Sequence, residues 1–227
     1  CGAGNNAMLN AASGEVAYTL TFANGDAAFS GVTGFSESDL QITGGSIVSG
    51  SFSGSGKVFS LRITPTVNAN GMLTIDVPAG VAEGDFAGQS HVPTAAAVTF
   101  SQAYDTHHPD SPVLELASGV TAGANGASQA EALAGAVSVT AEAGAEIFVT
   151  LTGSAGVVSK VLLATGSQQP LALTQQDLTI LGDGSVSVVA FARDAAGNNS
   201  ALALPTVFTM DTQAPIFSNG AEVIYLT

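Results

Sequence analysis

The sequence predicts an all-β protein made of tandem antiparallel β-sandwiches. Three observations lead to this prediction: apolar residues recur at every second position in short runs, glycine and other turn residues separate the runs, and two stretches of sequence recur about a hundred residues apart. A period of two is typical of strands that bury one face. Many short strands between turns favour sandwiches over helical folds.

The alternating runs are spread along the whole chain. Each is four to eight residues long and is bounded by Gly, Asn, Asp, Ser or Pro, as half-buried antiparallel strands usually are. The 27 glycines and the Asn24-Gly25 and Asn70-Gly71 pairs predict the turns between them. The alternating apolar positions are Val16, Tyr18, Leu20, Phe22, Phe59, Leu61, Ile63, Leu73, Ile75, Val77, Val137, Val139, Ala141, Ile147, Val149, Leu151, Val186 and Val188.

Two short segments depart from this alternation. At residues 36–40 and 174–178, a Ser or Thr precedes an acidic or Gln residue and then a leucine. A hydroxyl at the start of such a segment can cap the first amide groups of a helix. Each segment is therefore expected to form a single helical turn, in a chain otherwise made of strands and turns.

Recurring segments divide the chain into units. Asp105-Thr106 and Asp211-Thr212 each follow an alternating run and precede a proline, and the segment at 84–90 has a counterpart at 193–200. The final residues 220–226 are similar to 14–20, where the first alternating run begins. The predicted organisation is 1–105 and 106–211, each the size of an immunoglobulin-like sandwich, followed by 212–227 as a linker and the first strand of a further unit.

The composition excludes several classes of partner. Four Lys and Arg residues stand against 18 Asp and Glu, for a formal net charge of −14. Binding to nucleic acid or to anionic lipid needs clustered positive charge, so neither is expected. The chain is 46% hydrophobic, which is too apolar for a disordered acidic tail, and no apolar run is long enough to predict a membrane span. Cations are the small partners expected of such a surface.

The single cysteine, Cys1, permits no intramolecular disulfide. The sequence has neither an initiator Met nor a signal peptide. Two interpretations follow. Cys1 is the lipid-bearing first residue of a bacterial lipoprotein after removal of its signal, or the sequence is a fragment of a longer chain.

Four stretches share a pattern with a known family. They read Phe-Ser-Glu-Ser-Asp-Leu-Gln-Ile-Thr-Gly-Gly at 35–45, Leu-Thr-Ile-Leu-Gly-Asp-Gly-Ser-Val-Ser-Val at 178–188, Arg-Asp-Ala-Ala-Gly-Asn at 193–198 and Met-Asp-Thr-Gln-Ala-Pro at 210–215. In these stretches the chain resembles the bacterial Ig-like repeats of large surface adhesins, including biofilm-associated and RTX-type adhesins. The resemblance implies an extracellular array of β-sandwich spacers, in many members stiffened by Ca²⁺ between domains.

Calcium is the expected ion, because it prefers six to eight oxygen ligands from carboxylates, Asn side chains and carbonyls. In a sandwich, loops and the outgoing linker meet at one end, so two or three oxygens could converge there and fix the angle between domains. The alternative is that these Asp and Asn side chains only bond to backbone amides in a turn. The candidate ligands are Asp105, Asp110, Asp194, Asn198 and Asp211.

No enzymatic activity is predicted. The sequence has no nucleophile elbow, no His-Glu-x-x-His zinc motif and no phosphate-binding loop. His107 and His108 lie between two aspartates and could hold a transition metal, but adjacent side chains rarely point at one ion. A solvated linker is the favoured interpretation of this pair.

The C-terminal strand has two interpretations. In a longer chain it is the first strand of a third domain. If the chain ends there, the strand must find a partner, since unpaired strand edges and apolar faces attract one. It would then complete the sheet of a neighbouring subunit and build a surface filament, sheath or S-layer by head-to-tail β-strand complementation. The residues of this candidate assembly strand are Glu222, Val223, Ile224, Tyr225 and Leu226.

The predicted function is structural. The chain is expected to be an extender and interaction scaffold within a bacterial repeat adhesin or cell-surface fibre, outside the cell. Its expected partners are neighbouring copies or repeats of the same protein, together with components of the cell surface or matrix. A carbohydrate-binding module is less favoured, because sugar sites usually stack rings on exposed aromatics and the chain has three Tyr and no Trp.

Overall fold

The computed structural model of the chain describes residues 7–86, 92–93, 97–123 and 126–213. Strands dominate these residues, which confirms the prediction of a mostly β protein. The chain divides into two compact units. The first lies within Cys1–Pro109 and also includes the loop Asp194–Asn199, and the second lies within Asp110–Arg193 and Ser200–Thr227.

The first unit contains eleven described strands in three small sheets. The sheets have the strand orders β1-β11-β8-β4, β2-β7-β5 with β6 also paired to β7, and β10-β9-β3. Every pairing is antiparallel except that of β1 with β11. The strands are β1 (Leu9–Asn10), β2 (Val16–Thr21), β3 (Phe29–Thr33), β4 (Gln41–Thr43), β5 (Gly45–Ile47), β6 (Ser53–Ser55), β7 (Val58–Pro65), β8 (Asn70–Val77), β9 (Glu83–Phe86), β10 (Val92–Pro93) and β11 (Val98–Asp105).

The core of the first unit forms between facing strands whose residues alternate. Along β7, Phe59, Leu61 and Ile63 are buried, whereas Ser60 and Arg62 face outward. Strand β8 contributes further buried residues in the same way. Edge-on aromatic contacts extend this core toward Phe22, Phe35 and Phe52. The alternation in the sequence therefore corresponds to a buried and a solvated face, as expected of half-buried strands.

The second unit contains eight described strands in two sheets. A five-stranded sheet has the order β13-β19-β18-β15-β16, and a three-stranded sheet has the order β12-β14-β17. Only the short β13 pairs in parallel, with β19. The elements are β12 (Val113–Leu116), β13 (Ala127–Ser128), α1 (Gln129–Ala134), β14 (Val137–Thr140), β15 (Glu146–Thr152), β16 (Val157–Leu163), β17 (Gln169–Pro170), α2 (Gln175–Leu181), β18 (Gly184–Arg193) and β19 (Thr206–Asp211).

A separate core fills the second unit. Its fully buried residues come from both sheets and from α2, and they include Val139, Ile147, Leu181, Val188 and Phe208. The buried residues of the first unit form a different cluster. Each unit therefore buries its own apolar residues, which is what allows a tandem unit to fold around its own core.

The short helical segments follow the capping residues. Residues 36–40 contain the 3₁₀ turn Glu37–Asp39, and Ser36 with Asp39 closes its N-terminal end. Thr174 caps α2, which continues three residues beyond the single turn that the sequence predicts. Two helical segments were not predicted: the 3₁₀ turn Ala11–Ser13, and helix α1, although Ser128 and Glu131 form a reciprocal capping box at the start of α1.

Candidate functional site

The loop Asp194–Asn199 is the predicted ion-binding segment that the structure describes most completely. It follows β18 and folds into a tight turn, in which the amide of Asp194 donates to the carbonyl of Asn198 and the amide of Gly197 donates to the carbonyl of Asp194. Gly197 has φ +91°, a conformation that residues with a Cβ rarely adopt. The sequence Asp-Ala-Ala-Gly-Asn therefore folds this way because glycine permits the left-handed turn between its two polar ends.

Asn198 is the buried centre of this loop, with 3% of the residue exposed. Its Nδ2 donates to the backbone carbonyl of Asp105 at 2.9 Å and to Asp194 Oδ2 at 2.8 Å. Its Oδ1 accepts a hydrogen bond from the backbone amide of Ala11 at 2.7 Å. Protein atoms therefore satisfy both the Nδ2 and the Oδ1 of this buried amide. Through these bonds the side chain joins three separate parts of the first unit.

Further bonds hold the same loop in the first unit. Asn10 Nδ2 donates to the carbonyl of Ala196 at 2.9 Å, and His108 Nδ1 lies 2.8 Å from the carbonyl oxygen of Asn199. Asn10 also ends the short β1, which runs parallel to the end of β11. The first turn of the unit, the end of its last strand and the loop thus form one hydrogen-bonded cluster, which we call the Asn198 cluster.

The predicted calcium ligands do not all lie in this cluster. Asp105, Asp194 and Asn198 belong to the first unit, whereas Asp110 and Asp211 belong to the second. Asp105 Oδ1 accepts from the amide of His107, and Asp211 Oδ1 accepts from the amide of Gln213. In the part of the chain that the structure describes, no three His, Cys, Asp or Glu side chains are grouped so that they could hold a metal ion.

The carboxylate of Asp194 is engaged within the turn. Asp194 accepts through both carboxylate oxygens from Asn198, from the backbone amide at 2.8 Å and from Nδ2. Hydrogen bonds of this kind are also expected from the alternative interpretation, in which the Asp and Asn side chains only stabilise a turn. Six to eight oxygens would be needed around Ca²⁺, so calcium binding stays a prediction. Cys1 and the assembly strand at 222–226 lie outside the described residues.

The recurring Asp-Thr pairs have a role that the sequence did not reveal. Thr106 Oγ1 donates to the carbonyl of Thr66 at 2.6 Å and accepts from the amide of Ala69 at 3.2 Å. In the second unit, Asp183 Oδ1 accepts from both the amide and the hydroxyl of Thr212, at 2.9 and 2.8 Å. In each unit the threonine after the last strand is thus bonded to an earlier turn of that same unit, which anchors the outgoing chain.

A partly buried ion pair connects α2 to β16. Lys160 Nζ donates to Asp177 Oδ2, and the two side chains are 24% and 13% exposed. The amide and hydroxyl of Thr174 also donate to Asp177, both at 2.7 Å. Burial alone would raise the pKa of Asp177, but these hydrogen bonds and the positive charge of Lys160 outweigh it and lower the pKa. The hydrogen bonds from Thr212 lower the pKa of Asp183 in the same way.

Acid is expected to destabilise the second unit. Because the folded pKa values of Asp177 and Asp183 are lowered, their carboxylates stabilise the fold above the ordinary carboxyl pKa, and this stability is lost as the pH falls through the lowered values. Urea unfolding measured from pH 6 downward should show the decline, and Asp177→Asn should flatten it. Glu142→Gln is the control, since this exposed side chain accepts no hydrogen bond from the described residues. Equal pH slopes for wild type and Asp177→Asn would contradict the assignment.

Comparisons with known proteins found matches among solved structures. No family model and no curated protein matches the chain. Among solved structures, it is similar to a tetra-tandem repeat in the extending region of a large adhesion protein, with 21% identity, 70% of this chain and 36% of that chain covered, and a TM-score of 0.35. It is also similar to a 1.5-MDa bacterial ice-binding adhesin, with 18% identity, 92% and 62% covered, and a TM-score of 0.45.

A third similar structure is the BSP domain of a biofilm-associated protein, with 16% identity, 71% and 22% covered, and a TM-score of 0.27. The chain thus has structural matches among the repeats of large bacterial adhesins, the class that its sequence motifs resemble. It spans less than two thirds of the length of each of these three chains. Across the residues described, no helix is both long and apolar enough to cross a membrane.

Proposed function

We propose that this chain is an extender segment of a bacterial cell-surface adhesin, built from Ig-like β-sandwich units in tandem. One observation carries the proposal. Each unit buries its own core, and in each the threonine after the last strand is bonded back to an earlier turn, Thr106 to Thr66 and Thr212 to Asp183. A chain that transmits tension from one unit to the next needs its connections anchored in this way.

The rest of the proposal follows from the composition and the resemblance. The chain would lie outside the cell, with neighbouring repeats of the same protein as its first partners and cell-surface or matrix components as further ones. It would have no catalytic role. A net charge of −14 keeps such a segment soluble and repels nucleic acid and anionic lipid.

Calcium stiffening is the part of the proposal that depends on particular side chains. Asn198 is bonded to the backbone carbonyl of Asp105 and to the carboxylate of Asp194, and a cation there would have to draw its remaining oxygens from other carbonyls and water. The hydrogen bonds of the Asn198 cluster hold the loop through protein atoms. The ion can therefore be tested separately from the extender role.

Single-molecule pulling on the two ends of the chain tests both parts. We expect two discrete unfolding events, each releasing about 30 nm, because roughly 100 residues extend to about 35 nm at about 3.5 Å per residue and the folded unit already spans a few nanometres. If calcium stiffens the first unit, a chelator lowers one of the two forces, and Asp194→Asn removes that dependence. Extension without force peaks would contradict the extender role. Two peaks that are the same with calcium and with chelator would contradict only the calcium part.

A further inference from the structure

Strand β16 is an open edge of the five-stranded sheet. It pairs with β15 along all seven of its residues and, within the described residues, with no strand on its other side. The bonded pair of Ala164 with Ala145 fixes the pattern of the ladder, in which alternate residues of β16 bond to β15. The backbone groups of Val157, Ser159 and Val161 therefore point away from β15, toward the open side.

Among the described residues, one side chain is hydrogen-bonded to this open edge. Gln169 Nε2 donates to the carbonyl of Leu163 at 3.1 Å, at the end of the strand. The edge backbone groups of Val157, Ser159 and Val161 have no partner in the described part of the chain. A regular strand with free amides and carbonyls along one side is a template for pairing with another strand.

The side chains beside this edge are apolar and exposed. Val157 is 56% exposed, Val161 61% and Leu163 66%. Val161 lies in register with Phe148, whose ring stacks on Phe191 at 4.9 Å between centroids. An apolar band therefore runs across the outer face of the sheet and reaches the open edge. In the first unit, the outer face of β8 and β4 instead carries Thr43 and Thr74.

The distribution of charge indicates what can approach this edge. No Asp or Glu occurs between Glu146 and Asp177, in a chain with 18 acidic residues. Glu146 is paired with Arg193 on the same face. The one charged residue of β16, Lys160, points to the inner side and is bonded to Asp177. A second copy of the chain, which carries the same net charge of −14, would meet little repulsion here.

We propose that β16 pairs in antiparallel orientation with β16 of a second copy, which joins the two five-stranded sheets into one. The contact is isologous, with a two-fold axis beside Val161, so that Val161 faces Val161 of the second copy and Ser159 faces Leu163. This register pairs the free edge groups of Ser159 and Val161 in both strands and leaves those of Val157 beyond the end of the pairing. It also places Lys160 opposite Leu162, so the two lysines do not face each other. This favours the register, because like charges directly opposite one another destabilise a strand pair. The proposal goes beyond the extender role and does not depend on it.

The first test is self-association of the full chain, measured by sedimentation equilibrium under reducing conditions, with Cys1 kept as a free thiol. We expect a monomer–dimer equilibrium. Val161→Lys should weaken it at least about tenfold, since the two-fold axis places the two new charges together. Val161→Pro should also weaken it, because this proline removes an edge amide that does not bond to β15. Ser185→Lys is the control. It adds the same charge at an exposed position of β18, in the same sheet but away from the edge, and it should leave the dimerisation constant unchanged.

The second test is crosslinking at the proposed axis. In a Cys1→Ser background, Val161→Cys should form a covalent dimer on mild oxidation, because facing residues of a strand pair lie about 5.5 Å apart between Cα atoms, within reach of a disulfide. Ser185→Cys should not. A wild-type chain that stays monomeric at every concentration would overturn the proposal. So would a dimer that Val161→Lys leaves unchanged, or equal crosslinking at positions 161 and 185.

Discussion

Replacing Asn198 by alanine is expected to lower the free energy of unfolding of the first unit by about 2–4 kcal/mol. The substitution leaves the amide of Ala11 and the carbonyl of Asp105 without their partner, and it removes one of the bonds to Asp194. Each of the three lost hydrogen bonds contributes about 0.5–1.5 kcal/mol, because Ala11 and Asp105 are not fully buried and water can reach them. The loss should be as large with chelator as with calcium, since the bonds involve protein atoms only.

Tyrosine fluorescence can follow this loss in the first unit. The chain has no Trp and three Tyr, of which Tyr18 and Tyr104 lie in the first unit. In a Tyr225→Phe background, these two are the remaining tyrosines. Asn199→Ala is the matched control, because it removes the neighbouring exposed Asn side chain and leaves the Asn198 cluster in place. A urea midpoint that moves equally for both variants would show that burial of Asn198 is not what stabilises the unit.

Truncating Phe208 to alanine is expected to lower the free energy of unfolding of the second unit by about 3–5 kcal/mol. Phe208 is 1% exposed in β19 and packs in the core of that unit, so the substitution leaves a cavity as well as losing apolar burial. Leu61→Ala, also 1% exposed, is the matched change in the first unit, with an expected loss of about 2–5 kcal/mol.

The two core variants also test whether the units unfold separately. Hydrogen exchange should accelerate in β15 and β18 for Phe208→Ala and in β7 and β8 for Leu61→Ala. Because the loop Asp194–Asn199 connects β18 to β19, unfolding of the second unit also frees the loop. The first unit should then lose no more than the hydrogen bonds that the loop makes to it, which are those of Asn198, Ala196 and Asn199. A larger loss would mean that the two cores are not independent.

Much of the strand arrangement could be predicted because it depends on local alternation. Strands β2, β7, β8, β14, β15 and β18 contain the alternating runs, and each has one buried face. Strand β16 was missed because its outer positions are as apolar as its inner ones, so Val157–Leu163 shows no alternation. Helix α1 was missed because it has a single buried residue, Ala132, and so shows no helical period.

The candidate site was harder to predict because its contacts are distant in sequence. The sequence identified Asp194 and Asn198 as clustered oxygen donors, and it left open whether they serve an ion or the backbone. The backbone partners of Asn198 are Ala11 and Asp105, which no local sequence pattern connects to it. The role of the threonine in each Asp-Thr pair was hidden for the same reason, since Thr106 bonds to residues about forty positions earlier.

The inclusion of Asp194–Asn199 in the first unit has a consequence for the order of synthesis. The ribosome makes Ala11 and Asp105 early, but their partner Asn198 only after all of Asp110–Arg193 has been made. Translation proceeds at about 5–20 residues per second. For several seconds, therefore, the amide of Ala11 and the carbonyl of Asp105 in the nascent first unit are bonded to water instead of to Asn198. Its final consolidation is therefore set by translation of the second half of the chain, and a ribosome stalled before residue 198 would carry a looser first unit than a released chain does.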